Sequence, residues 1–421
     1  MSMSICISLP CLILFFPSSQ TFTQQKDNDS TSEQSISQLK AYLQVDVKKR
    51  PKLAEQQFAS VSLSREEAET VKQLLWQDHV QRVKKSRLPE MISRKVSVGN
   101  AHMPFYYSVN GKIPNDGRSL YISMHGGGGT AKRINDQQWE NQKILYRIPE
   151  GVYLVPRAPT NTWNMWHQGH IDPLFDRLIE NLIVFENVNP NRVYLLGYSA
   201  GGDGVYQLAP RMADRFAAAS MMAGHPNDAT PLGLRNLPFT IQMGGRDAAY
   251  KRNTRAKEWG KQLDDLQTED PKGYVHWTKM YPNKAHWMDR LDAVALPWMA
   301  KHTRNPVPKK IVWKQSKILH SRFYWLAVDD DNRQRGALVR AHLSGQEIEV
   351  QSDDVKKLII RADDRMLNPD ENVRIVSQGI QLYYGPMRRT IATIAKTLAE
   401  RGDPQSVFCS EVIVTMPEKK E

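Results

Sequence analysis

A single serine stands among glycines in Gly197-Tyr198-Ser199-Ala200-Gly201-Gly202-Asp203-Gly204, between an apolar run at 193–196 and a run of helical spacing that begins near Val205. At a strand-to-helix turn of this kind the backbone is strained, so the neighbours must be small, and the helix N-terminus lies under the hydroxyl. Ser199 is therefore the candidate nucleophile of an acyl transfer. That chemistry needs a base to take the hydroxyl proton, an acid to orient the base, and N–H donors to hold the oxyanion. Asp247 follows the apolar run 239–243 through Gly244-Gly245-Arg246, and His286 follows 275–281 through Pro282-Asn283-Lys284-Ala285. Each thus lies just past a predicted strand. His276, inside its strand, and Asp264 and Asp265, on a charged helix, are poorer candidates. His125-Gly126-Gly127-Gly128-Gly129-Thr130 follows another apolar run, 120–124, and can turn backbone N–H groups inward. Gly127 or Gly128, with Ala200, is the expected oxyanion hole. The same glycines do not read as a phosphate loop, because no Gly-Lys-Ser/Thr follows them.

The connection 156–172 is rich in aromatic and imidazole side chains and leaves a strand's carboxyl end, where ligands bind in open α/β sheets. Trp163, Trp166 and His167, together with Trp287 beside the base, are expected to wall the substrate pocket. His167 and His170 have no Cys or Glu near them to complete a ligand set, so no metal is expected. Asp203, one turn into the helix after Ser199, is expected either to brace the glycine loop and the turn or to complement the helix N-terminus.

Those residues need a scaffold. Apolar runs at 120–124, 152–155, 193–196, 217–222, 239–243 and 275–281 alternate with helical segments such as 174–186, 205–214 and 251–266. This predicts a doubly wound α/β fold with a mostly parallel sheet. Alternation at 96–98 and 105–109 predicts a hairpin at one edge. Ser64-Arg65-Glu66-Glu67 is a capping box that opens an amphipathic helix to about Arg87, expected to pack on the flank of the catalytic domain. Two prolines at 306 and 308 mark a boundary, and beyond it short alternating runs predict a small antiparallel, sandwich-like β domain. The organisation read from the chain is a leader at 1–20, a polar linker and N-terminal segment at 21–60, a catalytic domain at 61–302, a connection at 303–310 and a β-rich domain at 311–421.

The His-Gly-Gly loop, the Gly-Tyr-Ser-Ala-Gly-Gly turn, the Gly-Gly-Arg-Asp turn and the Lys-Ala-His loop occur in the order Ser, Asp, His. In these motifs residues 91–302 resemble an α/β-hydrolase. Within that superfamily they are similar to the phospholipase/carboxylesterase branch and to the esterases grouped with polyhydroxyalkanoate depolymerases and feruloyl or acetylxylan esterases. The resemblance implies hydrolysis of carboxylic esters, small or polymer-linked, through an acyl-enzyme, with no metal or organic cofactor. The same triad in a peptidase of prolyl-oligopeptidase type is the enzymatic alternative. A protein that keeps the scaffold but only binds a glycan or polymer is the other.

The formal charge of +12 would suit an anionic partner, yet the Lys and Arg are scattered at helix-like spacings that indicate a solvated face, and no nucleic-acid partner is expected. Residues 5–16 are apolar but too few to span a bilayer, and they read as a secretory leader, so the protein is expected to be exported. The polar tract 21–37 reads as a tether. Of three cysteines, Cys6 and Cys11 lie in the leader and only Cys409 in the folded body, where a buried strand position is expected. The C-terminal domain is expected to pack against the catalytic body, with a carbohydrate contact as its alternative role.

Overall fold

A computed structural model describes residues 21–352 and 354–417. The proposed leader therefore lies outside the described residues. The chain begins with two helices, α1 (Thr21–Gln44) and α2 (Arg65–Ser93). The tract expected to be a tether is thus helical. Its helix presents Ser32, Ser35 and Leu39 to a buried face. Small serines allow close approach, and their hydroxyls are satisfied: Ser35 Oγ donates to Thr31 O at 2.8 Å and Ser32 Oγ to Glu67 Oε1 at 2.6 Å. The capping box forms at the start of α2, with Glu67 N donating to Ser64 Oγ at 3.2 Å and Ser64 N to Glu67 Oε2 at 2.7 Å.

The body is a sheet of β1 (Lys95–Val98), β2 (Ala101–Asn110), β3 (Arg118–Met124), β4 (Gly151–Pro156), β5 (Val188–Tyr198), β6 (Ala218–Met222), β7 (Phe239–Gly244) and β8 (His276–Tyr281). Their spatial order is β1-β2-β4-β3-β5-β6-β7-β8. The β1–β2 and β2–β4 pairs are antiparallel, and every pair from β4 to β8 is parallel. The central strands β3, β4, β6 and β7 are buried almost throughout, as a sheet covered on both faces requires. Helices α3 (Lys132–Leu145), α4 (Ile171–Glu186), α5 (Ala200–Arg211), α6 (Arg252–Glu269) and α7 (Ala295–Met299) cover it. Of these, α4 buries a broad apolar face that includes Leu174, Phe175, Leu178 and Leu182.

Beyond the prolines lie β9 (Lys310–Lys314), β10 (Arg322–Phe323), β11 (Leu326–Ala327), β12 (Leu338–Ser344), β13 (Glu347–Ser352), β14 (Lys357–Ala362), β15 (Val373–Ser377), β16 (Ile380–Gly385), helix α8 (Ile391–Arg401) and β17 (Ser410–Thr415). They form two sheets, β10-β11-β14-β17 and β16-β15-β13-β12-β9, antiparallel except for the β13–β15 pair. Alternation fixes the register: Ala341 faces Val350 and Leu343 faces Ile348, all four buried. Cys409 is buried one residue before β17, and that burial pushes its thiol up to about 11.

The connection 303–310 is not a gap in the packing. One apolar core runs from Phe239 and Tyr274 through Ile311 and Trp313 to Phe323 and Trp325. Arg304, inside the connection, is buried; it donates to Asn191 Oδ1 and Asp214 O, and pairs with the fully buried Asp403 at 2.8 Å. The N-terminal helices likewise do more than flank the sheet. Leu39, Leu63, Val71 and Leu75 pack against Ile391, Ile394 and Leu398 of α8. Among the described residues no helix is long and apolar enough to cross a membrane.

Candidate functional site

Ser199 lies at the carboxyl end of β5 with φ 57° and ψ −120°, a conformation that L-residues seldom adopt. It is held there from both sides: its N–H donates to Met222 O at 2.9 Å, and its carbonyl accepts from Asp203 N at 2.9 Å. A Cβ on Gly197 would come within 2.3 Å of Gly201 O, and one on Gly201 within 2.2 Å of Met124 O. The spacing of these glycines is therefore set by backbone packed on backbone.

His286 and Asp247 converge on the serine from the ends of β8 and β7. The Ser199 Oγ is 2.9 Å from His286 Nε2, and His286 Nδ1 is 2.7 Å from Asp247 Oδ2. Since a carboxylate only accepts, Nδ1 carries the proton and Nε2 is left to accept from the hydroxyl. Asp247 is buried, whereas the imidazole side chain is 42% exposed. The acid turn presses directly on the imidazole loop: a Cβ on Gly244 would sit 1.9 Å from Ala285 O, and Arg246 N donates to Lys284 O at 2.9 Å. That contact is why two glycines precede Arg246. Tyr198 supports the loop from the other side, its hydroxyl donating to His286 O at 2.6 Å and accepting from Met288 N at 3.1 Å.

The glycine loop passes beside Ser199, where a Cβ on Gly126 would lie 3.2 Å from the serine Cβ. Here one expectation is corrected. The Gly128 N–H donates to Asn135 Oδ1 at 2.8 Å and so is already spent. The N–H groups of Gly127, at φ 103°, and of Ala200, at the first position of α5, make no hydrogen bond among the described residues. Those two are the N–H groups left free beside Ser199 among the candidates for an oxyanion hole. Asn135 is fully buried, and its amide also donates to Thr130 O at 3.1 Å, closing the loop from inside. His125 completes the brace: its Nδ1–H donates to Gly126 O at 2.7 Å and its Nε2 accepts from Ala158 N at 3.2 Å. Burial holds this imidazole neutral, down to about 3.

The expected aromatic wall divides. Trp163 and Trp287 are 61% and 49% exposed and line clefts that open on Ser199. Trp166 does not: it is fully buried, donates from Nε1 to His125 O at 3.0 Å, and fills the space above Gly204. A large ring with a satisfied N–H packs better under the glycine loop than over it. His167 is also removed from the clefts, with its ring set edge-on to Trp163 at 5.5 Å. Burial lowers it to about 4, so it stands as a neutral prop for Trp163.

Asp203 accepts from His225 N at 2.6 Å and faces the cleft, and burial raises its carboxyl to about 6. Residues not foreseen from the sequence are Tyr198, Asn135 and the Tyr250-Lys251-Arg252 turn. Only Tyr198 carried a signal, its place inside the serine motif.

No family model matches the chain, and no curated protein sequence matches it. Among solved structures it is similar to a thermostable esterase, with 16% identity over 50% of this chain and 62% of that one at a TM-score of 0.41. It is similar also to a poly(3-hydroxybutyrate) depolymerase from Bordetella parapertussis, with 16% identity over 49% of this chain and 86% of that one at 0.38. A phospholipase/carboxylesterase from Dyadobacter fermentans aligns at 15% identity over 49% of this chain and 100% of that one, at 0.35. By its own strand order, with a serine elbow after β5 and an acid and an imidazole past β7 and β8, the body of this chain has the α/β-hydrolase fold.

Proposed function

We propose that this protein is a serine hydrolase that cleaves carboxylic esters through an acyl-enzyme. One observation carries the reading: Ser199 Oγ, the His286 ring and the Asp247 carboxylate form an unbroken hydrogen-bonded line at the carboxyl edge of the sheet. As the Ser199 oxygen attacks the ester carbonyl, His286 Nε2 takes its proton and Asp247 stabilises the imidazolium. The carbonyl oxygen becomes an oxyanion received by the N–H groups of Gly127 and Ala200, each contributing about 3–4 kcal/mol to lowering the barrier. Collapse expels the alcohol, which leaves with the proton from His286. Water, deprotonated by the same imidazole, then releases the acid and restores the serine. The half-exposed imidazole and the clefts on either side of Ser199 admit a substrate without prior opening of the site.

Release of nitrophenol from acetate through octanoate esters, by the purified chain and by Ser199→Ala, tests the proposal. Wild-type turnover that falls about 10⁴-fold or more in the variant supports it. A folded wild type inert on the whole series removes it.

A further inference from the structure

Two clefts meet at Ser199, and their linings differ. One, of about 550 Å³, includes His286, Trp287, Ile134 and Leu145. The other, of about 610 Å³, is lined by Trp163, Ala200, Asp203, Lys251, Arg252 and Arg255 among others, and His286 is absent from it. If the proposed function holds, the imidazole must protonate the departing alcohol, so the alcohol occupies the cleft that contains His286. The acyl chain then enters the other. We infer that this second cleft is built for an acyl group ending in an anion, so that the preferred substrate is a half-ester of a dicarboxylic acid.

The charge on that wall is only partly neutralised by its surroundings. Lys251 is exposed and makes no ion pair among the described residues. The Arg252 Nε is buried without a hydrogen-bond partner, and the guanidinium reaches only 3.7 Å from Asp247. Arg255 is paired to Glu258 at 2.8 Å, but the pair is half exposed and therefore weak. Besides Asp247 and Glu258, the opposing charge is Asp203, which lies one helical turn after Ser199 and whose carboxylate accepts a backbone N–H. It would repel an anion held close to the serine and leave one held at the Lys251 end. The turn that presents these cations is itself costly: Tyr250 and Lys251 both have left-handed backbones, φ 55° and 57°, with neither residue a glycine. Strain of that kind persists where surrounding structure imposes it and concentrates at binding sites.

The test compares 4-nitrophenyl hydrogen adipate with 4-nitrophenyl methyl adipate, which differ in one negative charge, with uncatalysed release subtracted. The half-ester is expected to have a kcat/KM about 10-fold higher at low ionic strength, with the ratio falling in 0.5 M salt. The ratio should approach one in Lys251→Ala/Arg255→Ala and stay unchanged in Lys257→Ala, which removes an exposed lysine of α6 outside the cleft. A neutral diester cleaved as fast as the half-ester overturns the inference and leaves the hydrolase reading standing. Cleavage of neither ester removes that reading. Calorimetric titration of Ser199→Ala with monomethyl adipate, which carries a single charge as the half-ester does, then decides the cleft by itself: binding that is lost in the double charge variant supports the anion site, and no heat at millimolar monomethyl adipate overturns it.

Discussion

The two ends of the central sheet are built on opposite principles. At the carboxyl edge, Ser199, His286 and Asp247 are held by backbone-to-backbone contact at glycines and by the Tyr198 hydroxyl, and the glycine loop beside them by neutral hydrogen bonds with Asn135 and His125. Toward the C-terminal domain the seam is a lattice of buried ions. Arg215 pairs with Asp176 at 2.6 Å, Arg304 with Asp403 at 2.8 Å, Arg401 with Asp214, and Arg322 with Asp176 at 3.6 Å. Burial alone would raise the Asp176 carboxyl, but the guanidiniums of Arg215, Arg401 and Arg322 outweigh it and hold it at about 2. A buried charge left without its partner is far costlier than a lost neutral hydrogen bond. The seam should therefore govern stability while the edge governs rate.

The largest effect that would break this comparison is in the seam. Asp403→Ala removes the only carboxylate paired with Arg304 among the described residues, and the more distant of the two beside Arg215; it should destabilise by about 3–5 kcal/mol, read as a shift in urea midpoint, while kcat/KM of the folded fraction changes less than about twofold. A large loss of rate without loss of stability would mean that the seam also sets the site. At the edge, Asn135→Ala releases the glycine loop and should lower kcat about 10–100-fold. Circular dichroism would show whether the fold survives, and an unchanged kcat would deny Asn135 its positioning role.

Asp203 is where the two principles meet, since it is a poorly solvated carboxylate at the edge. Its pKa is raised on folding, from 3.8 to about 6. Above pH 6 it is ionised in both folded and unfolded chains and the folded state bears the full penalty; below pH 4 it is neutral in both and the penalty vanishes. Asp203→Asn keeps an acceptor for His225 N and should stabilise the fold by about 3 kcal/mol above pH 6, with the gain fading as pH falls from 6 to 4. A gain independent of pH would assign the effect to something other than this charge. The smallest effect is Trp163→Ala, expected to raise KM about threefold with little change in melting, in contrast to Trp166→Ala, whose buried ring should cost about 3–5 kcal/mol.

The strand and helix order, the elbow, and the acid and base loops were legible because each depends on local signals: apolar runs, glycines at close approaches, and residues just past strand ends. Helix α3 was not. Its sequence, Lys-Arg-Ile-Asn-Asp-Gln-Gln-Trp-Glu-Asn-Gln-Lys-Ile-Leu, buries Asn135 and Gln142 rather than an apolar stripe, because that face serves the glycine loop and Ser123. Periodicity in hydrophobicity cannot reveal a helix whose buried face is polar. Helix α1 escaped for a related reason, its inward residues being serines. Which glycine N–H is free was not legible either: a glycine run offers several, and only the fold shows that Asn135 occupies the one on Gly128. Trp166 was misplaced because a tryptophan in a loop after a strand can face either way.

The packing of α1 and α2 against α8 also bears on how the chain is made. Helices α1 and α2 leave the ribosome about 300 residues ahead of α8, yet they cover apolar residues such as Leu39, Val71 and Leu75 with partners on Ile391, Ile394 and Leu398. At about 5–20 residues per second the early segment waits tens of seconds with that face bare. During this interval it is a natural client for a holding chaperone, and a chain cut short before residue 391 would expose the same face for as long as it exists.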